Sequence, residues 1–280
     1  MPGVLYLCAT PIGNLEDMSF RAVRILKEVD LIAAEDTRNS LKLKNHFEID
    51  TPLTSYHEYN KYEKGKVLVE KLLAGENIAL ITDAGTPGIS DPGEELVKMC
   101  QEAGVPVTAV PGATACVTAL ILSGMSTRRF AFEAFLPTDK KEREAVLQEL
   151  ERETRTMVLY EAPHRLLKTL QLLLDRLGDR KLTVCRELTK KHETVFLTSL
   201  SEACAYYQEN TPRGECVLVL EGKSRQSIAQ EEREKWENVP LLEHMEQYLQ
   251  QGMSKKEAMK CVAKDRGVSK REIYQSLERD

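Results

Sequence analysis

The chain has 280 residues, 42% hydrophobic and 30% charged, with a formal charge of −5. These values describe a soluble globular protein of roughly two domains, and they exclude nucleic-acid binding driven by whole-chain charge while leaving room for a local basic patch. No apolar run is long enough to span a bilayer and no basic stretch precedes the first apolar run, so neither a membrane partner nor a signal peptide is expected.

Val4 to Ala9 reads as a first buried strand running into the tight loop Thr10-Pro11-Ile12-Gly13-Asn14. Ser19 can cap a helix carrying Val23, Ile25, Leu26 and Val29. Leu31 to Ala34 is the next strand, ending at Glu35-Asp36-Thr37-Arg38, and a helix follows around residues 64–74. Residues 78–82 form another buried strand, followed by Asp83-Ala84-Gly85-Thr86-Pro87-Gly88-Ile89-Ser90-Asp91-Pro92-Gly93. Glycines there allow backbone angles that a side chain forbids, and prolines stiffen the rest. In open α/β sheets such strand ends bind ligands. A helix near residues 94–103, a strand over 105–110 and the loop Pro111-Gly112-Ala113-Thr114-Ala115 complete a parallel α/β pattern.

The pattern resets around residues 123–126. Phe130 to Phe135 reads as a strand and residues 139–153 as a highly charged helix. Met157 to Tyr160 is a strand ending at Glu161-Ala162-Pro163-His164-Arg165, before a helix from Leu166 to Leu177 closed by Gly178. Strands at 182–187, 193–198 and 216–221 complete a second sheet in which residues 199–215 permit mixed pairing. The expected division is an N-terminal α/β domain over 1–124, a C-terminal α/β domain over 125–223, a linker or solvated helix over 224–239, and a helical tail over 240–280.

In the tail, Ser254-Lys255-Lys256-Glu257 and Ser269-Lys270-Arg271-Glu272 are capping-box patterns. Gly267 between them predicts a short turn, hence a helix-turn-helix layout. From Met253 to Tyr274 there are seven basic residues against three acidic ones, +4 in an acidic chain. That segment is expected to dock nucleic acid, with a solvated helical face as the alternative. The seven cysteines form no CxxC pair and fit reduced, buried thiols in a cytoplasmic protein. No metal-ligand cluster is expected, since the five histidines are scattered.

No GxGxxG, GxxxxGK[ST] or GxSxG pattern is present. The five loops at strand ends, Ala9 to Leu15, Ala34 to Arg38, Asp83 to Gly93, Val110 to Ala115 and Tyr160 to Arg165, occur in an order that closely resembles the ribosomal RNA small-subunit methyltransferase I family of the tetrapyrrole methylase superfamily. The likeness covers about residues 4–222, and the tail resembles the helix-turn-helix appended to many members. It implies two α/β domains with S-adenosylmethionine in the cleft between them, a homodimer, and 2′-O-methylation of a cytidine ribose in the decoding region of 16S ribosomal RNA, acting on that RNA or on the small subunit. It places Ala84, Gly85, Thr86, Ile89, Thr114, Ala115, Glu161 and Leu188 at the cofactor. The first loop, Thr10-Pro11-Ile12-Gly13, follows the ribosomal RNA branch rather than the GxGPG type. In two places the chain departs from that branch: Tyr59 stands where a second histidine is common, and Thr138 where an arginine is.

A ribose hydroxyl is a weak nucleophile, so a nearby base is expected to help. Asp36, Glu35, His57 and Glu187 are the candidates, each with a structural alternative as a cap or hydrogen-bond partner. Arg38, Arg165, Arg186, Lys270 and Arg271 are the candidate RNA contacts. Two other functions stay open on the residues alone: methylation of a tetrapyrrole or other small molecule, and a non-catalytic nucleic-acid-binding regulator.

Overall fold

The apolar run Ile78–Ile81 is the middle strand of a five-stranded parallel sheet in the computed structural model, which describes residues 1–277. The sheet comprises β1 (Leu5–Cys8), β2 (Leu31–Ala34), β3 (Leu53–Ser55), β4 (Ile78–Ile81) and β5 (Val107–Val110), in the order β3-β2-β4-β1-β5. Its helices are α1 (Phe20–Glu28), α2 (Thr37–Phe47), α3 (Lys61–Leu73) and α4 (Gly93–Glu102). Alternation along β4 serves two cores. Ala79 and Ile81 pack with Ile25, Leu26 and Leu43, whereas Ile78 and Leu80 pack with Leu68, Leu72 and Leu96. Burial on both faces explains why the strands read as continuous apolar runs. Ser19 caps α1 as expected, accepting from the Ala22 amide at 3.1 Å.

Helix α5 (Ala115–Leu122) leads to the second sheet. Here β6 (Phe130–Phe135), α6 (Lys140–Arg152), β7 (Thr156–Glu161), α7 (Leu166–Leu177), β8 (Lys181–Arg186), β9 (Thr194–Ser199), α8 (Leu200–Glu209) and β10 (Cys216–Leu220) follow in sequence. The strand order is β6-β7-β10-β8-β9; β6 and β7 are parallel and the other pairs antiparallel. The sheet is therefore mixed. Cys116, Ala119 and Leu120 of α5 pack against Val158, Cys185, Val217 and Val219 of the second sheet, and Ile12 from the loop after β1 enters the same core.

Elements not expected from the sequence include α2, the short β3, and α8, which occupies most of residues 199–215 and carries a capping box from Ser199 to Glu202. The strand expected over 105–110 begins only at Val107, because the Val105 amide closes onto the Cys100 carbonyl at 2.8 Å as the exit of α4.

The chain forms two compact units: residues 1–147 with 156–221, which holds both sheets, and residues 148–155 with 222–280. The latter contains α9 (Arg225–Glu237), α10 (Leu241–Gln250), α11 (Lys255–Arg266) and α12 (Lys270–Leu277). Residues 224–239 thus carry a helix, and residues 278–280 of the expected tail lie outside the described residues. Met245, Met259, Val262 and Ile273 form this unit's core. Ser254 and Ser269 each exchange hydrogen bonds with a glutamate three residues on, and Gly267 ends α11 in the left-handed conformation.

His244 is fully buried in this unit. Its ring stacks on Trp236 at 3.5 Å, its Nε2 lies 3.2 Å from Asp265, and Arg266 Nε donates to its Nδ1 at 3.2 Å. Tyr248 donates to the same Asp265 oxygen. With Nδ1 accepting, the ring is neutral and Nε2 carries the proton. Burial holds its pKa below the ordinary value, and the Arg266 charge adds to this against the pull of Asp265. A depressed histidine pKa means that the unfolded state gains protons first, so stability is complete above about pH 6.5 and falls as pH drops below it. Trp236 is the only tryptophan in the chain. Its fluorescence should therefore report a lower unfolding midpoint at pH 5.5 than at pH 7.5, and His244→Gln should flatten that slope.

Candidate functional site

The loops at the carboxyl edge of the first sheet are held by their own hydrogen bonds. The Thr10 amide donates to the Gly85 carbonyl at 2.8 Å and the Gly85 amide returns to Thr10 at 3.2 Å. Thr86 Oγ1 donates to the Ala113 carbonyl at 3.1 Å and sits 2.7 Å from Thr114 Oγ1. Three successive strand-end loops are thereby linked. Within the longest, the Asp91 carboxylate accepts from the amides of Gly88, Ile89 and Gly93. Gly85 (φ +88°) and Gly88 (φ +85°) take backbone angles that favour glycine. Gly93 is needed for space instead, since a Cβ there would lie 2.6 Å from Asp91 Oδ1 and 2.8 Å from the Gly88 amide.

The second sheet supplies the facing wall. Gly13 sits so close to residues 188–190 that a Cβ would meet the Leu188 carbonyl at 2.9 Å. The Cys116 amide, at the start of α5, donates to the Tyr160 hydroxyl at 3.2 Å. A bulge in β6 puts Ala134 at φ +48° beside Phe135, and the Phe135 ring lies 5.6 Å from that of Tyr160.

Between these walls lies a cavity of about 390 Å³. Ala84, Gly85, Thr86, Ile89, Thr114, Ala115, Glu161 and Leu188, the residues expected at a cofactor, all line it. Ile12, Asp83, Phe135, Tyr160 and Val217 line it as well and were not anticipated. The Glu161 carboxylate is already committed: it accepts from Thr169 and from the Ala162 amide at 2.8 Å, and pairs with Arg165 at 3.3 Å. It fixes the wall and has little capacity for another partner.

The four candidate bases separate. Glu35 lines the cavity and accepts from Thr82 Oγ1 at 2.8 Å. Asp36 caps α2 through the Arg38 amide at 2.8 Å and pairs with the Arg38 guanidinium, also at 2.8 Å. The Arg38 hydrogen bonds hold its carboxyl at about 2, which makes it a weak proton acceptor. His57 stands outside the cavity, near the end of β3, with Nε2 3.3 Å from Asn60. Glu187 is outside as well; burial alone would raise its carboxyl, but Lys190 and the Glu215 amide outweigh it and hold it below the usual range. The carboxylate that sequence reasoning passed over is Asp83. Its oxygens accept from the Asp36 amide at 3.1 Å and Asn39 Nδ2 at 3.2 Å. Burial pushes its carboxyl above the ordinary range, against those two bonds and with the Glu35 and Asp36 charges reinforcing the rise. Its signal in the sequence was an acid two residues past the all-apolar run Ile78–Ile81.

The arginines divide similarly. Arg38 is exposed and paired with Asp36. Arg165 braces the wall through Glu161 and the Leu136 carbonyl, and Arg186 donates to the Arg213 carbonyl. Lys270 and Arg271 lie exposed in the first turn of α12, in the other unit. No group of metal-binding side chains occurs among the described residues, and no helix among them is long and apolar enough to cross a membrane.

The family of tetrapyrrole (corrin/porphyrin) methylases matches residues 4–204. A ribosomal RNA small subunit methyltransferase I from Halalkalibacterium halodurans is 50% identical over 272 residues, 97% of this chain and 93% of that protein. One from Synechocystis sp. is 50% identical over 278 residues, 99% of this chain and 98% of its own length. Among solved structures, uroporphyrin-III C-methyltransferase from Thermus thermophilus, complexed with S-adenyl homocysteine, shares the fold at a TM-score of 0.57 and 19% identity, covering 78% of this chain and 97% of that one.

The packing around Gly93 is directly testable. Gly93→Ala should destabilise the chain by about 1–3 kcal/mol, the range for overpacking a close-fitted site, read as a lower urea midpoint. An unchanged midpoint would mean that the loop has slack there.

Proposed function

The chain belongs to the tetrapyrrole methylase family and to its ribosomal RNA small subunit methyltransferase I branch, and from that premise we propose that it transfers a methyl group from S-adenosylmethionine to the 2′-hydroxyl of a cytidine in the decoding region of 16S ribosomal RNA. The observation that carries this reading is the convergence of eight residues from four separated segments on one cavity. Its size falls within the usual range for a small-molecule site.

The residues present fit the cofactor. Ile12, Ile89 and Leu188 offer apolar surface to an adenosine, and Gly85 brings backbone to the cavity without a side chain. Glu35 and Asp83 place negative charge where a sulfonium cation would lie. Bound there, S-adenosylmethionine supplies an electrophilic methyl group. The chain's part is chiefly positional: hydrogen bonds among residues 10, 85, 86, 113 and 114 preset the loops, so little ordering is left for binding. Of the four candidate bases, Glu35 alone lines the cavity, while Asp36 and Glu187 are stabilised as anions.

The acceptor side rests on the tail. Seven basic residues against three acidic ones between Met253 and Tyr274 fit phosphate contacts. Lys270 and Arg271 stand at a helix start, where backbone amides also favour phosphate. A homodimer fits the outward side of α5, where Val117, Ile121 and Leu122 are exposed. A cytoplasmic location fits seven free cysteines, six of them buried.

Lys270→Glu with Arg271→Glu should leave cofactor affinity, measured by calorimetry, unchanged. The same pair should weaken small-subunit binding and lower the salt slope by about 2, one for each lost phosphate contact. A wild-type salt slope in the double variant would remove the tail from RNA docking.

A further inference from the structure

A second cavity, of about 290 Å³, adjoins the first. One of its walls is a face of α2: Asn39, Lys42 and Leu43 stand at positions i, i+3 and i+4. Leu15 and Lys190 also line it. The two cavities have residues 82–84 in common, together with Ile12 and Glu215. Asp83 therefore lines both, and its carboxylate is tied to this second site by the hydrogen bond from Asn39.

We propose that the second cavity receives the acceptor nucleoside, turned out of its RNA strand, with Asp83 positioning its ribose and Lys42 holding a neighbouring phosphate. The proposal rests on the methyltransferase reading above and gives that reaction its second substrate site. Group transfer requires reacting atoms about 3–3.5 Å apart, so the acceptor must occupy space that adjoins the donor, and the shared wall provides it. The lining suits a single pyrimidine nucleoside. Leu15, Leu43 and Ile12 present apolar surface to the faces of a ring. Asn39 spends an amide hydrogen on Asp83 and retains its carbonyl oxygen for a base edge. Lys42 is exposed and has no acidic partner among the described residues, which leaves its ammonium available to a phosphate. A tetrapyrrole macrocycle is far larger than this space, so the cavity also selects against the substrates of the wider family. Enzymes that modify nucleotides commonly take the target out of its stack into such a pocket.

The test uses full-length protein and small ribosomal subunits whose 16S RNA lacks the modification. Asn39→Trp and Leu15→Trp put an indole into the second cavity from exposed positions outside the first. Each should cut methyl incorporation at least 10-fold, with S-adenosylmethionine affinity by calorimetry within 2-fold of wild type. Leu41→Trp, on α2 but lining neither cavity, should behave as wild type. Lys42→Glu should raise KM for subunits with kcat retained, whereas Asp83→Asn should lower kcat with KM retained. Subunits carrying a 4-thiopyrimidine at the modified position should crosslink within residues 39–43. If both tryptophan variants methylate normally, or the crosslink maps elsewhere, the second cavity is not the acceptor site while the methyltransferase reading stands. If wild-type protein transfers no methyl group to subunits, that reading fails and this inference falls with it.

Discussion

The cleft depends on how α5 is buried. Its eight residues, Ala-Cys-Val-Thr-Ala-Leu-Ile-Leu, carry one hydroxyl and no charge. Cys116, Ala119 and Leu120 enter a core with Val158, Val217 and Val219 of the second sheet, while Thr114, just before the helix, is bonded to the loop that follows β4. The same short segment thus belongs to both walls. The Tyr160 hydroxyl binds the first turn of α5, and Gly13 admits residues 188–190 at a distance no other residue permits. Because interiors are close-packed, small shifts in this core would change the separation of the walls. That makes the cavity a property of the packing between sheets rather than of either sheet alone.

Charge at the strand ends is distributed by the same geometry. Glu35, Asp36 and Asp83 converge at the ends of β2 and β4 and would repel one another if all were equally solvated. Asp36 is neutralised by Arg38 and fixed as a helix cap. Asp83 receives its hydrogen bonds from uncharged donors, and partial burial raises its carboxyl. Environment, not residue type, gives these acids different roles. The acid pinned by arginine serves the scaffold, whereas Asp83 lines the cavity.

Strand ends were readable because apolar runs stop abruptly at glycine, proline and acid, and the five loops identified on that basis meet in space. The order of those loops also pointed to the family. What remained hidden depends on partners distant in sequence. β3 is three residues long, too short to show a period, and is held by pairing with β2. The capping box of Ser199 and Glu202 opens α8, a helix not assigned between the two strands that flank residues 199–215. Asp36 stood as a candidate base with a cap or a pairing to Arg38 as its structural alternative, and the fold realises that alternative. Asp83 was not singled out within its loop because Asn39 and Glu35 reach it across 44 and 48 residues. Glu161 was placed at the cofactor by resemblance and does line the cavity, yet its carboxylate is occupied by Thr169, Arg165 and its own neighbour's amide.

The central claim is that this cleft brings a sulfonium methyl donor to an RNA ribose. The most direct measurement incubates the protein with S-adenosylmethionine labelled in its methyl group and small subunits lacking the modification, then digests the RNA to nucleosides for mass spectrometry. The account predicts that the label resides on the ribose of one cytidine from the decoding region. Label on a base, on a nucleotide elsewhere in the RNA, or only on tetrapyrrole precursors supplied in a parallel reaction would contradict it.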